Sequence, residues 1–259
     1  MALGINPTVD YAFKKLFGDP ANSDLLLHLL NAVLAPVSPI VEVEILNPFN
    51  EKEFADDKLS VLDVKARDAR RAWFNIEMQS KSPSILRSRL PYYNASLFVD
   101  QLREGVDYQR LLPAISICFL QQVLIAEPLA AKAPHLTFVM RDRQFGVELS
   151  DSLQIHTIEL AKYNFEEVTM NPDNHANADP LTRWAYLLTH AAQLDAAELR
   201  QQLPEPAFQK AIGVLEMIAR TPEQRMQYEA RVKGERDFSS FVADAREAGR
   251  EAGRRSQLV

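Results

Sequence analysis

The sequence predicts an α/β protein: a mixed sheet with an antiparallel hairpin, helices on its faces, and a helical C-terminal region from about residue 165. Three observations carry this. Two runs between Leu59 and Gln79 alternate apolar and polar residues, the period of a strand. The run Ala114–Leu120 is continuously apolar, as a central strand is. From Leu181 onward apolar residues recur every three or four positions, the period of a helix.

Taken in order, Leu3 to Ala35 reads as helical. Val9, Ala12, Phe13, Leu16 and Phe17 share one face, Gly18-Asp19-Pro20 stops the run, and Asn22-Ser23-Asp24 supplies N-cap oxygens for a second helix through Leu25, Leu26, Leu29, Leu30 and Val33. Val41, Val43 and Ile45 alternate with glutamates, a half-buried strand closed by Asn47-Pro48. Leu62, Val64 and Ala66 then alternate with Asp63, Lys65 and Arg67. After a charged turn, Phe74, Ile76 and Met78 alternate with Trp73, Asn75, Glu77 and Gln79. If that turn is centred on Arg70, opposed residues have numbers that sum to 140, which sets Asp63 against Glu77 and Lys65 against Asn75. Directly opposed residues share a face of the pleat. One face is then apolar, and the other carries Asp63, Lys65, Asn75, Glu77 and Gln79.

A helix is expected over Ile85–Leu102, ended by Gly105, and strand-like pieces over Leu136–Met140, Phe145–Leu149 and Ile155–Leu160. Helices follow through Trp184–Leu188, Leu194–Leu203 and Phe208–Ile218. The tail closes on a short Arg-Glu-Ala-Gly repeat, whose glycines weaken a helix by about 1 kcal/mol each relative to alanine. Arg246, Arg250 and Arg254 fall on one stripe and Glu247 and Glu251 on the next, so the tail reads either as a solvated helix or as an assembly segment. The chain thus divides into a core over residues 1–165, a helical region over 166–235 and a charged tail over 236–259.

Composition narrows the function. With 259 residues, 47% hydrophobic and 25% charged, the chain is long enough for a core without staples, and its single cysteine excludes an intrachain disulfide and a cysteine-based zinc cluster. Inside an apolar run, Cys118 reads as a small hydrophobe. The five histidines show no metal-ligand spacing and read as structural. No apolar run approaches the roughly 20 residues that span a bilayer, and the N-terminus lacks the order of a signal peptide; the expectation is a cytoplasmic protein with no membrane partner. Net charge is −6, with the residues from Arg220 onward slightly basic and the rest acidic. A strongly basic patch is therefore not visible at whole-chain level, and any nucleic-acid activity must rest on a local site.

The hairpin is where such a site would lie. Opposed carboxylates on an antiparallel pair have Cβ atoms roughly 5 Å apart and repel. Two readings follow: the solvated outer face of an edge hairpin, with Asp63, Lys65 and Glu77 in water, or two hard oxygen donors awaiting a cation. In the second, Mg²⁺ or Mn²⁺ suits the ligands better than zinc, and Lys65 or the Gln79 amide orients water or stabilises developing charge.

Beyond spacing, several local words carry a resemblance. Val9-Asp10-Tyr11-Ala12-Phe13-Lys14-Lys15-Leu16-Phe17-Gly18, Leu62-Asp63-Val64-Lys65-Ala66, Asn75-Ile76-Glu77-Met78-Gln79, Arg89-Leu90-Pro91-Tyr92-Tyr93 and Gly105-Val106-Asp107-Tyr108 resemble the recombination-promoting nuclease, or putative transposase, group of the PD-(D/E)XK nucleases. The resemblance spans roughly residues 5–240 and is strongest through Leu120. It implies a restriction-endonuclease-like core and a Mg²⁺- or Mn²⁺-dependent DNA endonuclease acting in recombination, transposition or mobile-element defence. By the family pattern Asp63 and Glu77 are metal carboxylates, the Met78 carbonyl is a further ligand, Asp10 adds an acidic group, and Gln79 stands where the superfamily has its lysine. Glutamine is no general base, which shifts water activation toward Lys65 or the metal. Lys81, in the strand-exit turn, and Arg87 and Arg89, on the following helix, are the candidate DNA-backbone contacts. A homodimer or higher homo-oligomer is expected if both strands are to be reached. The rival expectations are a catalytically silent binding module with the same fold and an RNA-directed nuclease.

Overall fold

A computed structural model gives the fold and describes residues 2–47, 49, 63–79, 85–102, 107–165 and 178–256. Six strands form one mixed sheet: β1 (Val43–Ile45), β2 (Asp63–Asp68), β3 (Trp73–Gln79), β4 (Ala114–Leu120), β5 (His135–Arg141) and β6 (Glu148–Glu159), in the spatial order β1-β2-β3-β4-β6-β5. β1, β2 and β3 run antiparallel to one another, β3–β4 and β4–β6 are parallel, and β5 closes the far edge antiparallel to β6. The helices are α1 (Asp10–Phe17), α2 (Ser23–Leu34), α3 (Leu86–Val99), α4 (Pro180–His190), α5 (Ala196–Gln202), α6 (Pro206–Arg220) and α7 (Pro222–Ser256).

The hairpin has the register that a turn centred on Arg70 requires. Asp68 N donates to Ala72 O, closing a three-residue loop, and the Asp68 carboxylate accepts from Ala72 N at 2.8 Å. Arg71 closes the loop at φ +67°, the left-handed position that a three-residue hairpin loop needs. Asp63 therefore pairs with Glu77 and Lys65 with Asn75.

Alternation separates two environments. Val64, Ala66, Phe74, Ile76, Met78, Ile115, Ile117, Phe119 and Ile158 belong to one buried apolar cluster with α1, α2 and the C-terminal helices. Phe17 stacks edge-on to Trp184 at 5.2 Å, and Trp184 meets Phe208 at 4.8 Å, so the C-terminal helices share the sheet's core. Burial holds His28, the acceptor of the Trp184 Nε1 hydrogen bond at 2.9 Å, neutral by pushing its pKa down. Gly18 ends α1 against the sheet: a Cβ there would lie 3.0 Å from Lys14 O and 3.4 Å from Val64 Cγ2.

On the opposite face lies α3, the crossover between parallel β3 and β4. Leu86 and Leu90 pack on Cys118 and Leu120. One turn on, the buried stripe continues with Asn94, whose Nδ2 reaches Ala114 O at 2.9 Å, Ser116 Oγ at 3.0 Å and Gln154 O at 3.1 Å. Tyr92 and Tyr93, on the same helix, lie outside this stripe and are exposed.

Two expectations change. α3 ends at Val99, before the residues 103–106 that hold Gly105 and lie outside those described. The pieces Phe145–Leu149 and Ile155–Leu160 are largely one 12-residue strand, β6, because the polar Ser150-Asp151-Ser152 stretch pairs through a β-bulge opposite Val139–Arg141. The tail is continuous helix, α7 running without a break across residue 236.

Candidate active site

β3 is an inner strand, and this decides the character of its polar residues. Five consecutive residues, Phe74 to Met78, are buried. Asn75 and Glu77 are each only 4% exposed, although they point away from the apolar core. Their neighbours on β4 are Ser116 and Cys118, and Cys118 lies under α3. The reading of this surface as the wet side of an edge hairpin does not describe Glu77.

A buried carboxylate is costly unless hydrogen-bonded and paired with positive charge. Glu77 Oε1 accepts from Asn75 Nδ2 at 2.8 Å, and Oε2 accepts from Gln79 Nε2 at 3.3 Å. Both donors sit two residues away on the same strand, where the pleat returns to the same face. Both are neutral. They orient the carboxylate without cancelling its charge.

The other residues singled out in the sequence divide into those the fold gathers and those it does not. Asp63 opens β2 at the register position opposite Glu77. Lys65 is exposed two register pairs further along, on the same face and opposite Asn75, and makes no ion pair among the described residues. Asp10 begins α1 on the far side of the sheet, yet that end of α1 abuts the strand ends where Gln79 lies. Gln121 N donates to Gln79 O at 3.1 Å, and the Gln121 amide donates to Thr8 Oγ1. Asp10 is buried and forms a loose pair with Lys14 at 3.9 Å. The Met78 side chain is in the apolar core, which leaves only its carbonyl as an oxygen donor.

Arg87 is engaged elsewhere. Its guanidinium makes a two-pronged contact with Glu127, at 2.8 and 3.2 Å, and donates to Leu124 O at 2.8 Å, tying α3 to the segment after β4. Arg89 lies over the Tyr93 ring at 5.5 Å. Lys81 lies outside the described residues.

Two polar elements near this end of the sheet are not legible as a pattern in the sequence. Glu159, buried at the end of β6, accepts from Leu124 N and Ile125 N and pairs with buried Lys162 at 3.2 Å; Lys162 Nζ also donates to Ile125 O and Ala130 O. His135 Nε2 and His156 Nδ1 lie 3.0 Å apart, and burial together with the His135 neighbour pushes the His156 pKa down to about 4. The only signal for the first is an i, i+3 acid–base pair; for the second there is none.

A family model for PD-(D/E)XK nuclease family transposases matches residues 7–245. The chain belongs to this family. No curated protein and no solved structure matches it. The six-strand sheet flanked by helices agrees with the PD-(D/E)XK fold, whose nucleases generally use divalent metals.

The residues present suit a metal of that kind. A buried carboxylate that accepts from two neutral amides, with a second acidic residue in register across the ladder, is a hard-oxygen donor set. Among the described side chains no group of three His, Cys, Asp or Glu is gathered as a complete metal cage; the Asp63 side chain is not among them. Water and substrate oxygens would complete the shell. No helix among the described residues is long and apolar enough to cross a membrane.

Proposed function

We propose that this PD-(D/E)XK family member is a metal-dependent DNA endonuclease that hydrolyses phosphodiester bonds in recombination, transposition or mobile-element defence, with Mg²⁺ or Mn²⁺ held by Asp63, Glu77, the Met78 carbonyl and Asp10. The observation that carries the reading is Glu77 itself, a nearly inaccessible carboxylate oriented by Asn75 and Gln79 and set against Asp63 in the ladder. Opposed acids inside a sheet repel unless a cation lies between them.

A bound divalent ion polarises a phosphoryl oxygen and lowers the pKa of a water molecule. The chain's own residues do the rest. Asp63 and Glu77 fix where the ion sits relative to the scissile phosphate. Exposed Lys65, on the same strand as Asp63, supplies positive charge for the pentacoordinate transition state. Gln79 cannot accept a proton; its amide steadies Glu77 and leaves its carbonyl to orient water. Arg89 and Lys81 contact the DNA backbone, and Arg87 joins them only by giving up Glu127. A homodimer or larger homo-oligomer in the cytoplasm would bring a second site to the other strand.

The test is plasmid cleavage with Mg²⁺ or Mn²⁺ by the wild type, Asp63→Ala and Glu77→Ala. Cleavage by the wild type alone is the expected result. Equal cleavage by all three rejects the site, and no cleavage by any favours a silent binding module. Cleavage of structured RNA in preference to DNA makes it an RNA-directed nuclease.

A further inference from the structure

We propose that Asn75 is a positioning residue for the metal site, setting cation affinity through Glu77 rather than by touching the ion; this rests on the metal-binding reading of Asp63 and Glu77. Asparagine is a poor strand former, yet Asn75 occupies the middle of an inner strand, between Lys65 on β2 and Ser116 on β4. Its Nδ2 donates to Glu77 Oε1 at 2.8 Å. Its Oδ1 is buried with no hydrogen-bond partner among the described residues. An unmade acceptor in a dry setting opposes folding, so the amide is not there to stabilise the sheet.

The amide's orientation follows from the same contact. Reversing it would press Oδ1 against the Glu77 oxygen, two acceptors face to face, so the donor must point inward whenever Glu77 is ionised. Ser116, the β4 neighbour, already accepts from Asn94 at its Oγ. Glu77 thus has one oxygen fixed by a short bond from Asn75 and the other touched at 3.3 Å by Gln79. A lysine or arginine in place of Asn75 would hold the carboxylate as firmly but would compete with the cation for its charge. A neutral donor avoids that competition, the arrangement by which hydrogen bonds behind a ligand tune metal affinity.

The experiment is Mn²⁺ titration calorimetry on the full chain without DNA, using the wild type, Asn75→Ala, Asn75→Leu and Asp63→Ala, with thermal midpoints in EDTA and Mn²⁺ dependence of plasmid cleavage measured alongside. Leucine keeps the side-chain volume in case alanine fails to fold. The expected result is Mn²⁺ binding about ten- to a hundredfold weaker in both Asn75 variants, a matching rise in the Mn²⁺ concentration for half-maximal cleavage, and a rate at saturating Mn²⁺ within a few fold of wild type. Unchanged Mn²⁺ affinity in a folded Asn75 variant, with or without a lowered midpoint, overturns the proposal and leaves the metal site standing. Absence of Mn²⁺ binding by the wild type, or binding that survives Asp63→Ala, overturns the metal reading and this inference with it.

Discussion

Asp63 and Glu77 are register partners across the β2–β3 ladder, two acidic residues set directly opposite one another inside a six-stranded sheet. Like charges so placed are destabilising by about 0.2–1 kcal/mol relative to neutral pairs. If the pair holds a cation, as proposed, the sheet carries that cost in the metal-free state. In EDTA, Glu77→Gln is therefore expected to unfold at a temperature equal to or a few degrees above the wild type, since about 1 kcal/mol moves the midpoint by roughly 2–4 °C in a chain of this size. Added Mg²⁺ should raise the wild-type midpoint by mass action and leave the variant where it was. A variant stabilised by Mg²⁺ as much as the wild type contradicts the site. Calorimetric melting with and without the ion reads both effects.

The two arginines of α3 should behave differently toward DNA. Arg87 is bound by Glu127 and Leu124 O, whereas Arg89 contacts the face of an exposed tyrosine ring. Arg89→Ala is expected to weaken DNA binding and to lower the slope of log affinity against log salt by about 1, the signature of one lost phosphate contact. Arg87→Ala should change that slope little. Fluorescence anisotropy at several salt concentrations measures it, and equal slopes for the two variants would show that Arg87 leaves Glu127 to bind phosphate.

Stability near the site depends on one buried ion pair. Glu159 and Lys162 are both nearly inaccessible and share the segment after β4 between them. Removing one partner strands a charge, so Glu159→Ala is expected to cost about 3–5 kcal/mol. The double variant Glu159→Ala/Lys162→Met should recover a large part of that loss in urea unfolding. A double variant no more stable than Glu159→Ala would mean that the backbone hydrogen bonds, not the charges, hold the segment.

Acid should loosen the fold through histidine. His156 is held at a pKa of about 4, well below the usual value of 6.5, first by burial and then by its neighbour His135. Between those two values the unfolded chain takes up a proton that the folded chain refuses, so stability falls as pH drops from 6.5 toward 4 and is fully present above 6.5. The share due to His156 is about 3 kcal/mol. His28, His135 and His190 are depressed in the same direction, mainly by burial, and add to the slope. His156→Gln, which cannot bind that proton, should flatten the urea-stability profile over this interval. An unchanged profile would show that His156 titrates normally.

Periodicity made much of this fold legible before any coordinates. The hairpin register followed from counting residues about Arg70: a pleat of period two keeps Val64, Ala66, Phe74 and Ile76 on a common apolar side in every register that differs by two, and the position of the turn selects one of them. The central position of β4 was equally plain from its unbroken apolar run. Alternation cannot show what lies above a polar face. The sequence leaves open whether Glu77 is solvated, because the helix that packs beside it, α3, carries a buried asparagine, Asn94, in the middle of its apolar stripe. The Asn75–Glu77 contact was hidden for a different reason: residues two apart on a strand share a face, but only burial turns that into a mutual hydrogen bond. Glu159, Lys162 and the His135–His156 pair depend on tertiary placement alone.

The most direct measurement is a crystal structure of the full chain grown or soaked with Mn²⁺, read by anomalous scattering. The account expects one strong peak at the start of β2, with carboxylate oxygens of Asp63 and Glu77 both about 2.0–2.3 Å from it and the Asn75 amide still on Glu77. A peak bound by neither residue, or the two carboxylates turned apart with the ion absent at saturating Mn²⁺, would contradict it.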